Sequence, residues 1–360
     1  MARLFGMEYT RQQLLDHTGD ISQLGGVRRV LLSGGRSEGV EAVQFRTGSG
    51  LTFLAVPGRA LDITMAEHNG VPLAWRSPAG EAAAAFYEPQ GAGWVRSFAG
   101  GLLTTCGLTQ VGGACDDDGE SLGCHGRISN TPADCVWSDS AWDGDEYRMW
   151  TVGKVRDYNF KVDNLLLTRR ISAVLGQSKI WIDDVVENEG PSRSPHMILY
   201  HINAGFPVVA AGSKLIASTA SLEPVDDNAE QNKDHHHLCE PPTPGWSDKC
   251  YYHDMNCDAD GWSYSAMINR QMEFGFYVKY LKAQLPIFTQ WNRYATREYV
   301  VGIEPANCGV GGRAAERARG TLQFIEPGES RHYSLEIGVL SGEDEIRRFE
   351  DRVAEVNDSR

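Results

Sequence analysis

The sequence predicts an all-β fold, a large twisted antiparallel β-sandwich that carries a few short helices. Two observations predict it: short segments rich in β-branched and aromatic residues recur along the chain, and glycine, serine or proline separates them. The regular alternation of strands with long helices that would indicate a parallel α/β sheet is not seen. The 360 residues contain no fixed-period repeat and no low-complexity linker, so we expect a single domain over residues 1–360.

The chain is predicted to begin with an extension, residues 1–26, that precedes the sheets. Within it, Arg11–His17 has the composition of a short helix, and Thr10 is a suitable N-cap. Three strand candidates follow, separated by turns rich in Gly and Ser, which is typical of hairpins. They are Val27–Leu32, Gly39–Arg46 and Leu51–Val56.

The middle of the chain has the most regular strand pattern. Short strands, loops and glycines are expected to continue to about residue 140. The strands predicted next are Glu146–Val152, Asn164–Ala173, Lys179–Glu187 and His196–Ile202. Residues 223–262 interrupt this pattern because they are acidic and rich in His and Pro, and we interpret them as a long loop excursion from the sheet.

Strands are expected to resume after this excursion, and a helix is expected to end the chain. The predicted strands are Glu273–Leu281, Pro286–Trp291, Tyr299–Glu304, Gly320–Ile325 and Arg331–Leu340. The final helix, residues 343–356, is predicted to follow Ser341 as its cap. Ile346, Phe349 and Val353 lie at i, i+3 and i+7, so this helix should bury them on one face.

Composition excludes several classes of partner. The formal net charge is −14, and nucleic acids or anionic membranes are bound by clustered Lys and Arg. No secretory signal and no run of about 18 apolar residues is present, which favours a cytoplasmic location. The eight cysteines include no C-x-x-C pair, so reduced thiols are expected. A small-molecule ligand fits this composition, and the oligomeric state stays open, with a homodimer as one option.

The segment Val300–Asn307 contains the strongest candidate for catalysis. Three apolar residues and a glycine lead to Glu304, and Pro305, which lacks an N–H group, is expected to end the strand there. A carboxylate held at a strand end by apolar neighbours can have a raised pKa and act as a general base. The alternative is an acid that pairs with an arginine at the rim of the sheet.

Two histidines and an arginine are further candidates. His125 lies among small residues that would let a ligand approach, although such loop histidines are often structural. His201, near the end of an apolar strand, is suited to general acid catalysis or, alternatively, is a hydrogen-bonded core histidine. Arg59, with Asp62 close by, can hold a sugar hydroxyl through its several donors or form a salt bridge at the rim.

The remaining polar candidates allow weaker inferences. His235, His237 and His253 supply donor atoms for a transition metal, but no standard ligand spacing is met, so an exposed polar loop is the preferred interpretation and no metal is predicted. Trp291 is either a core aromatic residue or a surface on which a sugar stacks. Gln290 and Asn307 are candidate ligands for sugar hydroxyl groups.

Taken together, these motifs resemble the galactose mutarotase (aldose 1-epimerase) superfamily, and most closely its little-characterised bacterial branch of aldose-epimerase-like proteins. The matching segments occur in order and span residues 57–307. They are Pro57–Ile63, Gly100–Leu108, His125–Arg127, His201–Gly205, Gln290–Trp291 and Glu304–Asn307.

The resemblance implies a galactose mutarotase-like supersandwich that binds a sugar and needs no cofactor. It implies Glu304 as the base and His201 as the acid, with His125 contacting the substrate near the ring oxygen. The substrate-binding residues expected from the motifs are Arg59, Asp62, Arg127, Asn203, Gln290, Trp291 and Asn307. Mutarotases follow the second histidine with aromatic residues and carry an aspartate that binds sugar hydroxyls. This pattern is not matched here, which leaves the sugar undefined.

Three functions are therefore considered. The first is a carbohydrate-active isomerase, similar to aldose 1-epimerase, that interconverts sugar anomers by acid–base ring opening. The second is an isomerase, epimerase or lyase acting on a keto or acidic sugar, with metal assistance from the histidine-rich loop as one option. The third is a non-catalytic carbohydrate-binding module, because a fold does not fix the chemistry of its site.

Overall fold

A computed structural model describes residues 1–359 of the chain, and it is dominated by antiparallel strands. The strands are β1 (Ala2–Leu4), β2 (Met7–Tyr9), β3 (Gly26–Leu31), β4 (Glu41–Arg46), β5 (Leu51–Val56), β6 (Asp62–His68), β7 (Val71–Pro72), β8 (Thr104–Leu108), β9 (Cys115–Asp117), β10 (Glu120–Leu122), β11 (Asp134–Asp143), β12 (Glu146–Asn159), β13 (Asp163–Val174), β14 (Lys179–Asn188), β15 (Ser194–Ala204), β16 (Lys214–Ala217), β17 (Thr219–Pro224), β18 (Lys249–Met255), β19 (Trp262–Asn269), β20 (Phe274–Leu281), β21 (Ile287–Ala295), β22 (Glu298–Ala306), β23 (Gln323–Ile325) and β24 (Ser330–Ser341). The α-helices are α1 (Arg11–His17), α2 (Asp227–Glu230), α3 (Arg313–Arg319) and α4 (Glu343–Asp358).

The predicted all-β sandwich is confirmed, and three sheets build it. The eight-stranded sheet has the order β11-β12-β13-β14-β24-β20-β19-β16. A seven-stranded sheet has the order β17-β18-β21-β22-β15-β23, with β8 also paired to β15, and a five-stranded sheet runs from β3 to β7. The main hydrophobic core takes residues from all three sheets, for example Phe45, Ile182 and Ile303. No helix within residues 1–359 is long and apolar enough to cross a membrane.

Several predicted elements are confirmed, and others differ at their ends. Leu51–Val56 is a strand, and Thr10 caps α1 in a capping box with Gln13. The terminal helix buries the three predicted residues, but Gly342 is its N-cap, because Ser341 is still the last residue of β24.

The excursion predicted over residues 223–262 is only partly correct. Residues 249–255 form β18, which pairs with β17 and β21 inside the seven-stranded sheet. The segment between β17 and β18 does leave the sheet, and it contains α2 and the consecutive histidines. The acidic and proline-rich composition of this segment concealed the short alternating strand that follows it.

Strand β15 positions the candidate site because its alternate side chains point to opposite faces of the sheet. Ile198, Tyr200 and Ile202 join the main core. Met197 and Leu199 belong instead to a smaller apolar cluster on the other face, which also contains Trp94 and Cys106. His201 shares the parity of Leu199 and therefore lies on the face turned away from the main core.

The prediction that Pro305 ends its strand is wrong. Strand β22 continues through Pro305 to Ala306, and Pro305 lies opposite Phe288 of β21. On its other side, β22 pairs with β15 at Ala306 and again over residues 301–303. The two residues between them, Glu304 and Pro305, form no ladder pair with β15. A proline is tolerated inside this sheet because the ladder is interrupted where its missing N–H would have been required.

Candidate active site

Glu304 and His201 face each other across two neighbouring strands. The register that pairs Ile202 with Ile303 and Asn203 with Gly302 places His201 opposite Glu304, at the interruption of the ladder. Nε2 of His201 lies 3.2 Å from Oε1 of Glu304. The two residues are 5% and 2% exposed, so water barely reaches either ring or carboxyl group.

Burial sets the protonation of this pair. It raises the pKa of Glu304 to about 8. It also lowers the pKa of His201 to about 3, and repulsion from His125 adds to this shift. Between these two pKa values the pair holds one proton, and the values place it on Glu304, whose Oε1 has no hydrogen-bond partner within the described chain.

A glycine makes room for the carboxyl group of Glu304. Gly302 lies two residues before Glu304 on the same face of β22, and a Cβ atom added there would lie 2.1 Å from Oε1 of Glu304. The same Cβ atom would lie 3.1 Å from Cβ of Trp291. The glycine therefore allows the carboxyl group to fold back along its own strand toward Trp291.

Aromatic rings surround the His201 imidazole. The ring centroid of Phe98 lies 5.3 Å from that of His201, Trp291 lies 5.5 Å away and His125 lies 5.9 Å away. Trp94 stacks on Phe98 at 4.7 Å and contacts His125 at 4.6 Å. Such rings exclude water and provide flat apolar surfaces that suit the C–H face of a sugar.

Trp94 and Phe98 were not among the residues predicted for the site. They come from a single 3-10 turn, Gly93–Ser97, and the residue that follows it. The sequence signal was weak, because two aromatic residues in an irregular loop have no periodicity that would assign them to one face.

His125 is held by its own loop. Its backbone has a φ of +54°, in the left-handed region where a histidine is uncommon. The Gly112 N–H group donates to Nδ1 of His125 at 3.3 Å, which leaves the ring proton on Nε2. Burial lowers the pKa of His125 to about 4, so the ring is neutral and Nε2–H is available as a donor.

Arg59 and Asp62 differ in how their charges are balanced. Asp62 accepts hydrogen bonds at Oδ1 from the Thr105 amide at 3.0 Å and hydroxyl at 2.7 Å, and from Arg169 at 3.1 Å. Burial raises the pKa of Asp62 to about 7. Arg59 is 2% exposed, yet its only hydrogen bond within the described chain is a long one, 3.4 Å, to the Ala82 carbonyl.

Two predicted asparagine ligands stabilise the sheet. Asn203 shares the face of His201 and donates to the carbonyls of His201 and Gly101 at 2.9 and 3.0 Å, while its Oδ1 is buried without a partner. Asn307 accepts from the Ile198 amide at 2.7 Å and donates to the His196 carbonyl at 3.1 Å, which holds the ends of β22 and β15 together.

The structure does not bring Gln290 or Arg127 into contact with the pair. Gln290 is adjacent to Trp291 and points to the opposite face, where its Oε1 contacts His236 at 2.9 Å and His253 at 3.1 Å. Arg127 follows His125 and Gly126, and its side chain is exposed. The Gln290 side chain points away from the site because adjacent residues of one strand face opposite sides of the sheet, and Trp291 faces the site.

The histidine-rich loop packs against the other face of the seven-stranded sheet. No group of three His, Cys, Asp or Glu residues with metal-binding geometry is found among residues 1–359. His253 is buried and bonds Thr219 at 2.9 Å as well as Gln290, while His235 is exposed. His237 contacts the His236 ring at 5.4 Å. These contacts fix the loop to the sheet.

The fold defines the class of the protein, a galactose mutarotase-like sandwich, and this sandwich carries a buried glutamate–histidine pair on one face of a sheet. Solved structures share this fold. A candidate aldose 1-epimerase of Klebsiella pneumoniae is 25% identical, with a TM-score of 0.88 over 92% of this chain and 88% of that chain. A galactose mutarotase-like protein of Clostridium acetobutylicum is 13% identical, with a TM-score of 0.62 over 89% and 99%. Galactose 1-epimerase of Lactobacillus acidophilus is 11% identical, with a TM-score of 0.56 over 88% and 99%.

The particular family follows from the sequence itself. Residues 37–339 match the family described as Domain of unknown function (DUF4432), and this chain belongs to that family. No curated protein matches the chain in sequence. The predicted resemblance to aldose 1-epimerases and galactose mutarotase-like proteins is therefore confirmed by the structural neighbours.

Proposed function

We propose that this protein is an aldose 1-epimerase that interconverts the anomers of a sugar, with Glu304 as the base and His201 as the acid. The observation that supports this proposal is the buried Glu304–His201 contact at 3.2 Å, beside three aromatic rings. A neighbouring acid and base in a dry site are sufficient for general acid–base catalysis. The structural neighbours contribute the fold and the expected class of reaction.

The proposed reaction needs no net proton transfer to solvent. The reaction starts from the form in which the single proton of the pair lies on His201. Glu304 then takes the proton of the anomeric hydroxyl while His201 protonates the ring oxygen, and the bond between C1 and the ring oxygen breaks to give the open-chain aldehyde. Rotation about C1–C2 presents the other face of the aldehyde. Ring closure then returns one proton to His201 and takes one from Glu304, so the pair again holds a single proton.

The other residues have supporting roles in this proposal. The neutral His125 donates from Nε2–H to the ring oxygen and stabilises charge that develops there. Trp291 and Phe98 pack against the apolar face of the sugar. Arg59, with most of its donors unpaired, holds an oxygen of the substrate.

Saturation-transfer NMR of anomer exchange across a panel of aldoses tests the proposal. We expect faster exchange for at least one sugar. After subtraction of the spontaneous rate, the catalysed rate should be constant from about pH 4 to 7 and fall above about pH 8, where the pair loses its proton. Binding of a sugar without acceleration of any anomer exchange would instead identify a carbohydrate-binding module.

Substitution of Gly302 tests the position of the carboxyl group. Gly302→Ala should leave the sheet intact, because the glycine has no left-handed backbone, the flexible end of Glu304 can move away, and Trp291 need shift only by a few tenths of an ångström. We expect catalysed exchange to slow by about tenfold or more, since small displacements of a catalytic group are costly. Gly19→Ala, where no atom lies within 4 Å of the added Cβ, is the matched control. An unchanged exchange rate in a folded Gly302→Ala protein would exclude this placement.

A further inference from the structure

We propose that Arg36 and Arg59 form a binding site for an anionic group of the substrate, so that the preferred sugar carries a carboxylate or a phosphate. The catalytic part of this inference rests on the proposed anomer exchange, whereas the binding part can be tested without it. The inference names a class of substrate and a residue, Arg36, that the sequence motifs did not indicate.

Arg59 differs from the other buried arginines because it has no carboxylate partner. Arg59, Arg169 and Arg313 are the three largest fully buried side chains. Arg169 contacts Asp184 at 2.6 Å and Arg313 contacts Asp117 at 2.7 Å, each with a second carboxylate nearby. Arg59 has no carboxylate oxygen within 4.0 Å among the described residues and only its one long hydrogen bond, to the Ala82 carbonyl. A buried guanidinium without such a partner is costly unless a ligand supplies the charge.

Arg36 lies near Arg59 and also has no acidic partner. The Ala83 amide donates to the Arg36 carbonyl at 2.9 Å, so residues 82–83 contact both arginines. The Arg36 guanidinium lies 5.2 Å from the Phe86 ring centroid and donates to the Arg96 carbonyl at 3.1 Å. Arg36 has no carboxylate within 4.0 Å in the described chain. Burial lowers the pKa of Arg59, attraction from Asp62 and Glu81 opposes this shift, and repulsion from Arg36 adds to it.

Positive charge exceeds negative charge around Arg36 and Arg59. Arg76 pairs with Glu81 at 2.6 Å, and Arg169 pairs with Asp62 and Asp184. Counting these groups with Arg36 and Arg59 gives four positive and three negative charges, in a chain whose net charge is −14. Hydroxyl groups of a neutral sugar would satisfy free N–H donors but would leave the excess positive charge unbalanced, whereas an anion satisfies both.

This positive cluster is close to the acid–base pair. Arg36 donates to the carbonyl of Arg96, which lies in the same 3-10 turn as Trp94. Phe98 directly follows this turn, and its ring centroid lies 5.3 Å from that of His201. A single sugar held by the acid and base at its anomeric end can therefore direct a charged substituent toward the arginines.

The experiment compares a neutral sugar with its anionic counterparts. Anomer exchange of glucose, glucuronate and glucose 6-phosphate is measured by NMR, and binding is measured by calorimetry, for the wild type and Arg36→Gln. Arg348→Gln, an exposed position on α4, makes the same change in net charge and serves as the control. The carboxylate and phosphate arms identify which anion is preferred.

We expect at least one anionic sugar to be preferred over glucose by about tenfold or more in both binding and kcat/KM. Arg36→Gln should lower kcat/KM for the anionic sugar by about 10- to 100-fold, a larger loss than it causes for glucose. Salt should weaken the preference in the wild type. Equal binding and equal kcat/KM for neutral and anionic sugars would overturn the inference and leave the proposed anomer exchange intact. A preference for the anionic sugar that persists in Arg36→Gln would do the same. If no sugar is turned over, anion-dependent binding lost in Arg36→Gln still supports this site, although the proposed reaction fails.

Discussion

Replacement of Glu304 by Gln is expected to reduce catalysed anomer exchange by about 10²- to 10⁴-fold, because the amide cannot accept the anomeric proton. The side chain keeps its size, so the aromatic surroundings and the Gly302 position need not change. Sugar binding should be largely retained, which distinguishes a lost base from a lost site. A variant that still accelerates exchange at the wild-type rate would contradict the assignment of Glu304.

The same substitution should stabilise the protein at alkaline pH. Burial raises the pKa of Glu304 from 4.5 to about 8, so its neutral form stabilises the folded state below about pH 4.5, and this contribution is lost as the pH rises through 8. Glu304→Gln cannot ionise. Its advantage in free energy of unfolding should therefore grow by up to about 1.4 kcal/mol per pH unit across this window.

Thermal unfolding of both proteins at pH 5, 7 and 9 measures this effect. The midpoint of Glu304→Gln should exceed that of the wild type by an amount that increases with pH. The stability contributed by His201 has the opposite pH dependence. Because the pKa of His201 is lowered, this stability is lost as the pH falls through about 3, and both proteins contain His201. A constant difference across the three pH values would show that Glu304 is not held neutral by burial.

Replacement of Arg169 by Met is expected to be the most destabilising single change, at about 3–5 kcal/mol, because it leaves carboxylates buried without their cation. Arg169 contacts Asp184 at 2.6 Å and Asp62 at 3.1 Å, and all three side chains are at most 2% exposed. Tyr200 adds a hydrogen bond to Asp184 at 2.7 Å. Denaturant unfolding monitored by tryptophan fluorescence measures the loss.

The adjacent arginine offers a matched control. Arg170 is exposed and lies over the Trp150 ring at 5.0 Å, so Arg170→Met should cost less than about 1 kcal/mol. Adding Asp62→Asn and Asp184→Asn to Arg169→Met should recover part of the lost stability, since no unpaired charge then remains. Equal losses for Arg169→Met and Arg170→Met would mean that this buried network contributes little.

Much of the fold was predictable because alternating apolar patterns identify strands and glycine-rich turns separate them. Leu51–Val56 and the buried face of α4 are examples in which local pattern and tertiary packing agree. The end of β22 was mispredicted because sequence cannot show an interruption of pairing on one side of a strand. Strand β18 was missed because the polar segment before it dominated the local composition.

Part of the site could also be predicted from the sequence, and part could not. Glu304 and His201 follow from the motifs, but their contact depends on the register between β15 and β22, which only the assembled sheet reveals. Gln290 was predicted as a sugar ligand from the matching segment Gln290–Trp291, although alternation along β21 directs these two residues to opposite faces. Arg36 lies outside every motif, and the folded loops alone bring it near Arg59.

The alternation along β15 has a consequence for how this family can vary in evolution. Tyr200 belongs to the core and His201 to the site, so inserting or deleting one residue in this strand would exchange the two roles. A change in the length of β15 would therefore disrupt both the core and the candidate site. The turn Gly93–Ser97, which supplies Trp94 and precedes Phe98, lies outside the strands, so its length can change without shifting the register of β15.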